Sequence, residues 1–280
     1  MGALILILAF LGLLLLILIG IFSSQIATNF FEKGYRKDVD EAKSASISIP
    51  VKINERDIDH LPEPIKLFLR KVGVIGKPQI NNFKALFNVE MRGKGQDWFS
   101  MKAEQFNFIP ERKRLFYLKA KVKGLPTVGY HAYKDDQASM RIKLLGLLPV
   151  VNIPGGKKMF QAETVTFFND LCIMAPAGLI DKAIEWEEIN EREVRATFTN
   201  KGISISANLI FDEENRLVNF ISDDRYDINE GKTYRFSTPL SEFKIINGIE
   251  LPTYGEAIWH YPEGEFVYGK FHLKDIEYNV

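Results

Sequence analysis

The spacing of apolar positions along this chain changes three times, and each change predicts a different element. Residues 3–22 (ALILILAFLGLLLLILIGIF) carry no charge. As a helix, such a run of about 20 residues rises about 30 Å, the thickness of a bilayer's hydrocarbon core. Residues 29–56 are polar and without a sustained period, which predicts a stalk with a helical start. Next, in LPEPIKLFLRKVGVIGKP, Pro62 and Pro64 suit a first helical turn, and Ile65, Phe68, Leu69 and Val72 recur at helical spacing. Gly73 is placed to end that short amphipathic helix, which should pack on the domain that follows.

Beyond Lys77 the period becomes two. Runs rich in aromatic and β-branched residues over 83–93, 98–108, 112–122, 127–134 and 138–145 are separated by GKGQD, NFIPE, KGLP and KDDQ turns. A second series covers 185–189, 194–199, 203–211, 217–226, 233–246, 249–261 and 265–278, with DEENR, NEGK, NGI and YPEG at the junctions. These predict about a dozen antiparallel strands in one curved sheet or two related ones. Between the series lies one substantial helix, GKKMFQAETVTFFNDLCIMAP, starting after Pro154-Gly155-Gly156 and ending near Pro176. Phe160, Thr164, Phe167, Phe168, Leu171, Cys172 and Met174 give it a broad apolar face, with Glu163, Thr166 and Asp170 on a stripe expected to be solvated. The domain organisation expected is an anchor over 1–28, a stalk over 29–56 and a half-barrel over 57–280.

One stretch breaks the alternation. Residues 143–153 read KLLGLLPVVNI. Leaving its Leu and Val side chains in water would forfeit on the order of 10 kcal/mol. A core, a bilayer, a ligand or a partner must cover it. The expectation is a loop passing over the mouth of the sheet into the helix.

Composition narrows the classes. The 280 residues are 46% hydrophobic and 26% charged, with 36 basic and 36 acidic residues interleaved, so no basic stripe points to nucleic acid. The single cysteine, Cys172, excludes an intramolecular disulfide and a cysteine-built metal site. The apolar N-terminal run exceeds the 7–15 residues of a cleavable core, has no basic residue before it and no A-x-A site after it, which favours an anchor over a removed signal. Lys33, Arg36 and Lys37 follow it, and taken alone the positive-inside rule puts the domain in the cytoplasm.

No motif names a reaction. His60, His131, His260 and His272 lack metal-ligand spacing and read as ordinary strand or surface histidines. No G-x-S-x-G or S-x-x-K context supplies a nucleophile. Asp223, Asp224 and Arg225 suggest a structural ion pair at a strand's end. Gly231-Lys232-Thr233 lies in a hairpin turn rather than a P-loop, and Gly155-Gly156-Lys157-Lys158 reads as a solvated helix start. Aromatic residues make up 12% of the chain, 21 of them Phe, and many fall on elements expected to line the concave side.

The runs ETVTFFNDLCIMAPAGLIDKAIEW and LPEPIKLFLRKVGVIGKP, with AEQ at 103–105, LLGLLPVV and WHYPEGEFVYGKFHLKDIEYN, resemble a bacterial membrane-associated family of unknown function, over nearly everything after the stalk. More loosely, the chain resembles the lipoprotein carriers of the LolA and LolB type. That resemblance implies a mainly β fold of the α+β kind: a curved antiparallel half-barrel with one or two helices against its concave side and an apolar cavity between. It also implies a domain outside the cytoplasm, against the charge count. The expected function is a single-pass, membrane-anchored, non-enzymatic module binding a lipid or acyl chain, without a cofactor. Leu144, Leu145, Leu147, Leu148 and Val150 would act as lid, and Phe160, Phe167, Phe168 and Leu171 as plug. The alternative is a scaffold domain with no cavity. An enzyme would need Glu163, Asp170 and a histidine in one pocket.

Overall fold

The computed structural model describes residues 2–46 and 51–280. Three helices, α1 (Gly2–Ala45), α2 (Glu63–Val72) and α3 (Lys157–Met174), accompany fifteen strands. The first six strands are β1 (Asn82–Met91), β2 (Phe99–Phe108), β3 (Lys113–Val122), β4 (Leu125–Lys134), β5 (Gln137–Leu144) and β6 (Leu148–Ile153). After α3 come β7 (Ile184–Asn190), β8 (Glu193–Asn200), β9 (Ile203–Phe211), β10 (Leu217–Ser222), a two-residue ribbon of β11 (Tyr226–Asp227) and β12 (Lys232–Thr233), then β13 (Arg235–Ile246), β14 (Ile249–Tyr261) and β15 (Gly264–Tyr278).

Thirteen strands form one antiparallel sheet in the order β6-β5-β4-β3-β2-β1-β15-β14-β13-β10-β9-β8-β7. The first and the last strand of the domain pair with each other, and this joins the two meanders into one surface. A sheet of that width curls under its own twist. The strands that flank α3 in sequence, β6 and β7, are the two edges. The chain must therefore cross from edge to edge, and α3 does so over the concave face. Its aromatic residues reach the second meander, where Phe168 stacks on Phe198 at 5.0 Å and Phe167 on Phe198 at 6.1 Å.

α2 forms as expected: Pro62 is its N-cap, Gly73 closes it in the left-handed region (φ 79°), and Ile65, Phe68, Leu69 and Val72 are buried.

Two expectations need correction. KLLGLLPVVNI is not a loop: it supplies the end of β5, the turn and the edge strand β6, with Met140 opposite Ile153 and Ile142 opposite Val151. The polar segment after residue 28 is not a free stalk either, because α1 continues without a break to Ala45. Phe31, Tyr35, Val39 and Ala42, spaced for one helical face, are buried against Phe106, Phe108, Leu115, Tyr117, Val128, Tyr130 and Ala132 on the convex face of β2–β4. Residues 47–50 of the expected stalk lie outside the described residues. The first half of α1 is long and apolar enough to cross a membrane, and its side chains from Ile5 to Phe22 are exposed.

Candidate functional site

Alternation along the strands decides what faces inward. On β2, Phe106 and Phe108 turn toward α1, so Gln105 and Asn107 turn toward α3. On β3 and β4 the same parity sends Arg114, Phe116, Leu118, Thr127 and His131 to the concave side. Between these side chains and α3 lies a cavity of about 310 Å³. Met91, Phe99, Met101, Leu118, Val122, Ile142, Phe271 and Leu273 give it mostly apolar walls.

Its polar part is a buried ion cluster. The Arg114 Nε donates to Asp170 Oδ2 at 2.6 Å, its Nη1 to Glu163 Oε2 at 3.3 Å and its Nη2 to Gln105 Oε1 at 3.3 Å. Gln105 Nε2 and Asn107 Nδ2 donate to the same Asp170 oxygen, at 2.7 and 3.3 Å. Glu163 and Asp170 are only 5% and 9% exposed, so the stripe expected to be solvated is internal. A lone ion at that depth is costly, and the three-way pairing is what makes it tolerable. Burial holds the Asp170 carboxyl above the ordinary range, against the opposing pull of Arg114.

The second arginine of the cavity is different. Arg225 has no carboxylate partner among the described residues. Its Nη1 donates to the Tyr268 hydroxyl at 2.6 Å, and its guanidinium carbon lies 4.2 Å from the Phe236 ring centre and 4.9 Å from that of Trp259. Its Nε is buried with no hydrogen-bond partner. Rings supply a weaker counter-field than a carboxylate. Asn169 on α3 donates to Thr238 at 2.8 Å, while its Oδ1, also at the cavity, accepts from nothing. His131 shares the lining; burial first, then the fields of Arg114 and Arg225, hold its imidazole neutral, with a pKa down to about 3.

The structure therefore brings Glu163, Asp170 and a histidine to one cavity, which the sequence set as the condition for an enzyme. Arg114 engages both carboxylates, and no hydrogen bond joins His131 to either of them.

The nine residues expected at the site fall elsewhere. Leu144 and Leu145 are half-buried in the β5–β6 hairpin, and Leu147, Leu148 and Val150 are 49%, 59% and 62% exposed. Phe160, Phe167, Phe168 and Leu171 are buried on α3, where Phe160 and Phe167 pack on Tyr133 and Phe168 on Phe220. None of the nine lines the 310 Å³ cavity. The helix contributes Glu163, Thr166, Asn169, Asp170, Ile173 and Met174 instead. Arg114 carried no sequence signal as a site, and Arg225, expected to form an ion pair with Asp223 and Asp224, bonds the Tyr268 hydroxyl instead, while Asp223 pairs with Arg235.

The profile of a family of unknown function (DUF6544) matches residues 51–271. No curated protein matches the chain. Among solved structures it is similar to a DUF1329 family protein from Desulfovibrio piger (13% identity, TM-score 0.44, 78% of this chain and 92% of that one). Others are a putative outer membrane lipoprotein-sorting protein domain from Vibrio parahaemolyticus (10%, 0.40, 71% and 86%) and a LolA superfamily protein from Nitrosomonas europaea (11%, 0.41, 76% and 92%).

Proposed function

The chain belongs to the DUF6544 family of unknown function, and from the chemistry of its cavity we propose that it is a membrane-anchored, non-enzymatic module that binds a single-chain amphiphile with an anionic head group. The carrying observation is Arg225, a cation on the wall of a mostly apolar cavity that, among the described residues, is paired with no carboxylate, since Glu163 and Asp170 on the same lining are engaged by Arg114. A ligand anion completes that site, where an apolar molecule alone would leave a partly desolvated charge unpaired. The Tyr268 hydroxyl fixes the guanidinium, and the free Asn169 Oδ1 accepts from any hydroxyl or amide on the head group.

Size sets the rest. At about 310 Å³ the cavity is at the lower end of small-ligand sites, ~300–1,000 Å³. That suits one acyl chain rather than the several of a lipoprotein's lipid. Each methylene taken from water contributes about 0.8 kcal/mol, so a medium-length tail against Met101, Leu118, Ile142 and Leu273 supplies several kcal/mol. The cavity weighs against a scaffold that merely packs its concave face dry. α1, whose first half has the length and composition of a bilayer span, is the anchor in this reading.

The test is native mass spectrometry of the full chain released from non-ionic detergent, with dodecanoate or dodecanol added. Dodecanoate should form a 1:1 adduct at least 10-fold more readily than dodecanol, and Arg225→Gln should erase the difference. No adduct with either compound overturns the binding reading. Equal adducts in the parent protein retain the cavity and remove the anionic head group.

A further inference from the structure

We propose that the β5–β6 hairpin, with the neighbouring β3–β4 turn, dips into the interface of the bilayer that α1 crosses; this rests on α1 being the anchor. The argument starts at Gly146, in the hairpin turn at φ 69°. A Cβ built there would lie 2.6 Å from both the backbone nitrogen and the Oγ1 of Thr28 and 3.0 Å from the carbonyl carbon of Ala27. Only glycine allows this close approach to α1. Ser24, buried at 8% exposure, stands on the same helical stripe as Thr28, Phe31 and Tyr35. On the hairpin side, Lys143 and Arg141 reach the Phe31 ring at 5.4 and 5.7 Å.

The contact fixes a height. Thr28 is about 9 Å of helix beyond Phe22, the end of the continuous apolar run. The head-group layer on each side of the hydrocarbon core is about 5–8 Å thick. The backbone of the turn therefore sits at the outer edge of the head-group layer, within a leucine side chain's reach of it, where α1 leaves the membrane.

What the protein displays there is apolar. Leu147, Leu148 and Val150 are about half exposed or more, and Leu125 of the adjacent β4 is 44% exposed. Leu125 belongs to the same end of the sheet, since the Leu145 amide donates to the Pro126 carbonyl at 2.7 Å. Elsewhere in the domain the exposed large apolar side chains, Val51, Ile189 and Ile245, are scattered. Charge fits an anionic lipid surface as well. Residues 113–134 and 137–156, which make these hairpins, contain Lys121, Lys123 and Lys143 and no Asp or Glu. Apolar tips flanked by lysines are the chemistry of interfacial insertion. The covering is thus the bilayer, and KLLGLLPVVNI is exposed only while lipid is absent. Val122, Thr127 and Ile142, which line the cavity, lie at this end too, so the cavity's apolar part reaches toward the lipid.

The test uses the full chain in vesicles of phosphatidylglycerol and phosphatidylcholine. Single cysteines Leu15→Cys, Leu148→Cys and Ile245→Cys are labelled with an environment-sensitive fluorophore; the native Cys172 is fully buried and stays unlabelled. Ile245, 75% exposed on the β13–β14 hairpin at the opposite end of the sheet, is the aqueous control. Lipids with a nitroxide near the head group should quench the probe at position 148 several-fold more than the probe at 245, with blue-shifted emission. Quenching at 148 no greater than at 245 overturns the proposal. A blue shift without lipid quenching overturns it in favour of a protein cover. A probe at position 15 that acyl-chain nitroxides fail to quench removes the anchor itself, and the proposal with it.

Discussion

The two faces of the sheet are both covered by a helix, and the two covers differ in kind. On the convex side α1 lies flat on β2–β4: Tyr35 stacks on Tyr117 at 5.0 Å and meets Tyr130 edge-on at 5.4 Å. At the margins of that contact polar groups pair directly. Tyr35 donates to Glu104 at 2.8 Å, Tyr130 to Asp38 at 2.6 Å and Lys134 to Asp38 at 2.6 Å, while Arg36 bridges Glu104 and Glu32. On the concave side α3 leaves space, and the polar groups are gathered in the interior around Arg114. One contact is dry inside and polar at its rim, as a fixed joint should be. The other is polar inside and partly hollow, which gives up packing energy for a place to put something.

Breaking the interior cluster should have the largest effect. Arg114→Met leaves Glu163 and Asp170 buried without their cation, which costs about 3–5 kcal/mol. For a domain of this size that lowers the thermal midpoint by about 10 °C, read by near-ultraviolet circular dichroism. Adding Glu163→Gln and Asp170→Asn should restore most of the loss, because the penalty belongs to the stranded charges. If Arg114→Met alone costs less than about 1 kcal/mol, the cluster is solvated and the contrast between the faces fails.

The concave face should also be the acid-sensitive one. His131 has a folded pKa near 3, below its unfolded value. Between those values the unfolded chain takes up a proton that the native state refuses, so stability rises with pH across that window and falls on acidification. From pH 7.5 to 5 the loss attributable to His131 is about 2 kcal/mol. His131→Gln should remove it, seen as a smaller difference between urea midpoints at the two pH values. An unchanged difference would place the imidazole in water.

How far these features were legible follows from the range of the interactions that create them. The strands were readable because alternation and turn residues are local: the expected 249–261 coincides with β14, and 98–108 misses β2 by one residue. Gly73 ended α2 for an equally local reason. β6 was missed because an edge strand running LPVVNI carries no alternation. The packing of the second half of α1 on the sheet was missed because Phe31, Tyr35, Val39 and Ala42 make a thin stripe among charges, meaningful only once the convex face exists. The site suffered most. Glu163 and Asp170 read as solvated because Arg114, their partner, lies 49 and 56 residues away on a strand that only the fold brings under α3.

The smallest effects separate the faces most finely, through tyrosines on one seam. Tyr130 and Tyr117 both bear on α1, and only the first has a partner for its hydroxyl: Tyr130 donates to Asp38, whereas the Tyr117 hydroxyl is buried and unpaired. Tyr130→Phe should loosen α1 by about 1–2 kcal/mol, the worth of a hydrogen bond to a charged acceptor. Tyr117→Phe removes an unsatisfied group and should stabilise by under about 1 kcal/mol. Limited proteolysis at residues 29–46 reads both changes as opposite shifts in cleavage rate, with ligand adducts unaltered in each variant. The unpaired Asn169 Oδ1 is the counterpart on the concave face, and Asn169→Leu should weaken a hydroxylated ligand while sparing the joint. If Tyr117→Phe also alters ligand retention, the two faces are coupled through β3, and the division between a holding face and an accommodating face is the part that must be abandoned.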